Sequence, residues 1–148
     1  MDKEKTVEAI VNARKAHENQ MKKIISLINR KELDNPTAVL KTECDFGKWL
    51  YDEDNNLKGL LGAVFYNNLE ILHARWHIEY SRLFDLFFKN KKRGGLFSKI
   101  FGSDKIEERE IDRAKLYYFE LEETTSELLQ AIASSKRRIE ALSEEKFL

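Results

Sequence analysis

From Ile111 to Leu142 the residues Ile111, Ala114, Tyr118, Leu121, Thr125, Leu128, Ile132, Ser135, Ile139 and Leu142 stand at alternating spacings of three and four. An α-helix returns all of these positions to one stripe, whereas a strand would scatter them over both faces. The pattern predicts a long C-terminal helix over 104–147, about 60 Å from end to end, with heptad-like packing. Such a helix needs others to cover it. Six Gly, one Pro and 35% charged residues in 148 positions favour long helices and leave few signals for strands.

A first helix is predicted from Lys3 to Lys31, with Ile10, Arg14, His17, Met21, Ile24 and Ile28 on one face. Leu33-Asp34-Asn35-Pro36 breaks it and starts a short second helix, with Asn35 as N-cap and Pro36 in the first helical position. This second helix places Val39, Leu40 and Cys44 on its apolar side, is interrupted at Gly47 and ends in Trp49-Leu50-Tyr51. A third, capped by Asp54 or Asn55, is predicted from Leu57 to Phe88, with Leu61, Phe65, Leu69, Leu72, Trp76, Tyr80, Leu83 and Phe87 inward. The fold class is therefore all-α: an antiparallel four-helix bundle whose short, interrupted second helix carries Cys44. The chain reads as a single domain, 1–148, with a flexible basic loop at 89–103.

Several function classes are disfavoured by composition. A single Cys rules out an internal disulfide and suits a reducing compartment. Lys+Arg and Asp+Glu balance at 26 each, so no overall basic field would capture nucleic acid. Nothing approaches the roughly 20 consecutive apolar residues of a membrane span, and the first thirty residues lack an export signal's apolar core; a cytoplasmic location is expected. The run 89–102, with Leu96, Phe97, Ile100 and Phe101 after a basic stretch, is read as a solvated loop in preference to a membrane-surface segment. No P-loop, dinucleotide fingerprint or His-Glu-x-x-His motif is present. The last helix, longer than its partners, is expected to overhang and to support a homodimer or docking on another helix.

The chemistry concentrates in four residues. His17, Cys44, His73 and His77 are all the histidines and the only cysteine, and each falls on a core-facing stripe or the turn beside it. One buried histidine is ordinary; four N/S donors on three helices are better satisfied together by one ion. His73 and His77, four apart, project from one helix face as a chelating pair must. Three imidazoles and a thiolate suit Zn²⁺, with copper the alternative on affinity grounds. A shell closed by four protein donors leaves no site for a reactive water, so no enzyme activity is expected. Glu70 or Glu79 is a candidate to hydrogen-bond a ligand imidazole.

Glu43-Cys44-Asp45-Phe46-Gly47-Lys48-Trp49-Leu50 resembles the cysteine motif of the chemoreceptor zinc-binding domain, and His73-Ala74-Arg75-Trp76-His77 resembles its paired-histidine element. His17 matches the family's first histidine, although Gln20 stands where an aromatic residue often follows. The resemblance implies a cytoplasmic bacterial sensory module that holds zinc with three His and one Cys. It also implies attachment to chemoreceptor or diguanylate cyclase partners, and a response to zinc level or to oxidation of the thiolate by hypochlorous acid. No cyclase signature or methylation-type coiled coil accompanies it here. The alternative is a structural adaptor in which zinc only staples the bundle and the last helix binds a partner.

Overall fold

The computed structural model describes residues 1–29, 40–89 and 108–147. Among them the chain is helical throughout, with no strand. Helix α1 spans Lys3–Ile28, α2 Asp45–Tyr51, α3 Leu57–Leu61, α4 Ala63–Phe84 and α5 Glu108–Ala141. A wide helical turn, Asp85–Lys89, prolongs α4, and short 3-10 turns occupy Glu53–Asn55 and Glu144–Phe147.

Helix α5 packs along both α1 and α4, while α2 rests on α1. The stripe expected on α5 is the one buried: Ile111, Ala114, Leu121, Thr125, Leu128, Ile132, Ser135 and Ile139 face inward, and Tyr118 and Leu142 are half-buried. Full burial of each large apolar side chain there contributes about 1.5–3 kcal/mol. Two cross-helix ion pairs, Arg75 to Glu127 at 2.6 Å and Arg82 to Glu120 at 3.2 Å, flank the α4–α5 seam.

The structure departs from the sequence reading at several points, the last being that the C-terminal helix expected to 147 ends at Ala141 and gives way to the 3-10 turn Glu144–Phe147. Arg14 lies outside the core of α1 and pairs with Glu18 at 3.0 Å; Ala13 takes the inward position, because a helix of 3.6 residues per turn lets the stripe step by three at that point. The predicted third helix is divided into α3 and α4 at Gly62, whose φ of 83° a side chain would resist. Neither Asp54 nor Asn55 caps α3: Asn56, at φ 47°, precedes it without a side-chain cap, while Asp52 caps the 3-10 turn through the Asp54 amide. Cys44 is not inside a helix. It is the N-cap of α2, which runs through Gly47 without interruption, and Leu40 is exposed. The start of the second helix at Asn35-Pro36, Val39, the end of the first at Lys31 and all of the basic loop beyond Lys89 lie outside the described residues, as do 104–107.

Candidate metal centre

Each donor owes its place to a local feature. His17 is inward on α1 because it continues the Ile10, Ala13, Met21 and Ile24 stripe. Its Nδ1 donates to the Ala13 carbonyl at 2.7 Å, which fixes the tautomer and leaves Nε2 as the free donor atom. His73 and His77 lie four apart on α4, their rings 4.6 Å apart in a T-shaped contact. Cys44 closes the turn before α2, with backbone φ −72° and ψ 151°, and its Sγ accepts the Gly47 amide at 3.2 Å.

Gly47 has a steric reason to be glycine. A Cβ there would stand 1.5 Å from the Lys41 carbonyl oxygen and 3.3 Å from Cys44 Sγ. The motif's glycine thus allows the turn 40–44 to fold tightly over α2 and aim the sulfur inward.

The three imidazoles each bring one ring nitrogen to a common volume, all within 4.8 Å of one another. Cys44 Sγ stands 3.3 Å from His73 Nε2. Tetrahedral zinc with bonds of about 2.3 Å to sulfur and 2.0–2.1 Å to nitrogen separates those two donors by about 3.5 Å. The Cys44–His73 spacing therefore fits the ion. His17, Cys44, His73 and His77 are all buried, His73 completely. His73 Nδ1 has no hydrogen-bond partner among the described protein groups. A buried polar nitrogen left so costs about 1–3 kcal/mol, and it is the nitrogen on the far side of the ring from Nε2, which faces the sulfur.

Electrostatics favour the ligand forms of the imidazoles. Burial lowers the His17 pKa, opposed by its bond to Ala13. Burial, then the charges of His77, His17 and Lys41, push His73 down to about 2. Both rings are neutral at pH 7, as ligation requires. Burial raises the Cys44 thiol while the Gly47 and Phe46 amides draw it down; a cation beside the sulfur would complete its deprotonation. A cleft of about 220 Å³ opens beside the cluster, lined by His17, Gln20, Glu43, Cys44, Phe46 and Trp76 among others. It leaves the sulfur within reach of small molecules.

The structure brings all four sequence-predicted donors together. It moves the two carboxylates elsewhere: Glu70 accepts from Lys41 and Tyr51, and Glu79 accepts from Thr124. The His17 imidazole is supported by the Ala13 carbonyl, a backbone group no sequence pattern marks. Trp76, a core position and the aromatic residue of the paired-histidine element, also braces the site. Fully buried between the two histidines of α4, it meets His17 edge-on at 4.7 Å and donates from Nε1 to Thr125 Oγ1 on α5 at 2.8 Å. A threonine interrupting an apolar stripe was the available signal for that bond.

Searches of curated proteins and of solved structures find no match to the chain. No helix among the described residues is long and apolar enough to cross a membrane. Zinc is the cofactor that both the donor chemistry and the family call for, since the stretch 17–84, from the first of these histidines to the end of α4, matches the family model of the chemoreceptor zinc-binding domain.

Proposed function

We infer that the chain is a zinc-binding sensory or regulatory module of bacterial signal transduction, holding the ion with His17, Cys44, His73 and His77. The observation that carries the reading is the convergence of four buried donors from three separate elements, with a cleft reaching two of them, His17 and Cys44. Zinc, when bound, keeps the Cys44 sulfur as thiolate and ties the turn before α2 to α1 and α4. Four protein donors would fill a tetrahedral shell and leave no position for a reacting water, which supports a role without catalysis.

Two stimuli suit this arrangement. Falling zinc removes a clamp whose contribution to stability scales with free ion by mass action. An oxidant entering the cleft converts the thiolate to sulfenic acid; with hypochlorous acid the sulfur loses two electrons, takes up the oxygen and releases chloride. Either event removes the tie between the metal and the turn that precedes α2, since Cys44 is the donor that this turn carries. Partner numbers along the α4–α5 seam descend as α4 ascends, Trp76 with Thr125, Glu79 with Thr124 and Arg82 with Glu120. That order supports the antiparallel four-helix bundle, taken as one domain over 1–148 with a cytoplasmic location. The output then passes to a second copy or to a chemoreceptor- or cyclase-type protein.

A structural adaptor is the second reading, favoured by Leu116 and Phe119, which stand 69% and 62% exposed on α5. Metal analysis by mass spectrometry of protein purified without added zinc, beside Cys44→Ala, tests the site. About one zinc per chain, lost in the variant, is expected; a metal-free wild type, or a variant that keeps its zinc, overturns the assignment. Zinc released by hypochlorous acid or exchanged at low free ion marks the sensor, and zinc that does neither marks the adaptor.

A further inference from the structure

Both ends of the segment that carries Cys44 are tied to one carboxylate oxygen on α4. On the N-terminal side Lys41 Nζ donates to Glu70 Oε1 at 2.7 Å. On the other side Tyr51, the last residue of α2, donates its hydroxyl to the same oxygen at 3.0 Å. The Lys41 ammonium also lies 5.2 Å above the Tyr51 ring, so the three side chains close on each other. Lys41 reaches the sulfur through its backbone, because its carbonyl stands 3.4 Å from Cys44 Sγ and presses on Gly47. Glu70 precedes His73 by three residues, one turn along the same side of the helix. Its neighbours hold its carboxyl below the usual range, led by the Lys41 hydrogen bond.

We propose that Glu70 is a positioning residue that, through Lys41 and Tyr51, holds the Cys44 turn at ligating distance from His73 and sets how readily the sulfur leaves the site. The proposal rests on the reading of Cys44 as a zinc ligand for its consequence, though not for its geometry. An exposed ion pair alone would do little. Here the side chains are only 40% and 27% exposed, and a hydroxyl shares the acceptor. Loss of the carboxylate frees both ends of a segment whose middle bears the sulfur. The buried side chains of Phe46, Trp49 and Leu50, with the Asn55 amide on the Trp49 carbonyl, keep α2 in place while its preceding turn swings.

The test uses the full chain as Glu70→Gln, Glu70→Ala and Tyr51→Phe, with Glu127→Gln as control because its pair with Arg75 joins α4 to α5 away from Cys44. One readout is the rate at which a neutral aromatic disulfide labels Cys44 in the metal-free protein. The other is the rate of zinc transfer from loaded protein to a chromophoric chelator. Glu70→Gln is expected to raise both by about three- to tenfold, Glu70→Ala by more and Tyr51→Phe by less, with Glu127→Gln at the wild-type rate. Lys41→Met added to Glu70→Gln should change little further, since both act through one contact. Labelling within twofold of wild type in both Glu70→Gln and Tyr51→Phe, at an unchanged melting temperature, overturns the proposal. So does an equal rise in Glu127→Gln, which would mean general loosening. A chain that binds no zinc yet shows the labelling rise sinks the zinc reading and leaves Glu70 as the residue that positions the cysteine.

Discussion

Replacing Gly47 by alanine sets two physical effects against each other with opposite signs. Gly47 lies in the first turn of α2, and helix propensity alone would credit the variant with up to about 1 kcal/mol. The new methyl would meet the Lys41 carbonyl oxygen at 1.5 Å and its carbon at 2.7 Å, both backbone atoms that no side-chain rotation can clear. Restoring an ordinary contact near 3.2 Å requires the turn to retreat by about 1.7 Å, and overpacking of that kind costs about 1–3 kcal/mol. Sterics should win. For a chain of this size the melting temperature should fall by about 3–9 °C. The sulfur moves with the turn, and metal–ligand distances tolerate only about 0.2 Å, so zinc affinity should drop at least about tenfold. Thermal unfolding by circular dichroism and competition with a chromophoric chelator read the two effects separately. A variant that melts above wild type and keeps its zinc affinity would refute the reasoning, showing that the close approach of Lys41 is not required.

Three other outcomes follow from the same geometry. Thr125→Val removes the acceptor of the fully buried Trp76 indole and should cost about 1–3 kcal/mol, seen as a lower urea midpoint with an unchanged slope; an unaltered midpoint would remove that bond from the account. In the zinc-free protein stability should fall with acid, because His73 stays neutral when folded, its pKa held to about 2 by burial, yet takes a proton near 6.5 when unfolded. The loss begins as pH drops through 6.5, reaches about 2 kcal/mol by pH 5 for this residue alone, and burial of His17 adds to it; a flat profile from pH 7 to 5 would contradict a buried neutral pair. Adding zinc at 100 times its dissociation constant should raise stability by about 2.7 kcal/mol, and chelation should reverse it; no shift would mean that the ion does not distinguish folded from unfolded chain.

The residues differ in how much of this they disclosed. The α5 stripe was legible because the period of a helix is a local property, and ten residues repeat it. His73 and His77 were legible as a pair for the same reason. Arg14 was misread because a spacing of four fits the stripe as well as the spacing of three to Ala13, and only the packing partner selects between them. The helix break at Gly62 was missed because one glycine in a helical pattern is compatible with continuation, whereas its positive φ depends on how α3 meets α4. Glu70 was, with Glu79, a candidate to support an imidazole because His73 is near it along the chain; the ammonium that claims it arrives from a turn 29 residues away.

Residue types and short-range periodicity, properties carried by the chain itself, determined the helical class, the four candidate donors and the ion that suits them. Tertiary structure alone decided that Cys44 sits at a helix cap 3.3 Å from His73, that a backbone carbonyl orients His17, and that one carboxylate ties down both ends of the cysteine segment. The reason is range: periodicity is fixed by the backbone within a few residues, but a distance between side chains on different elements exists only after packing has chosen which faces meet.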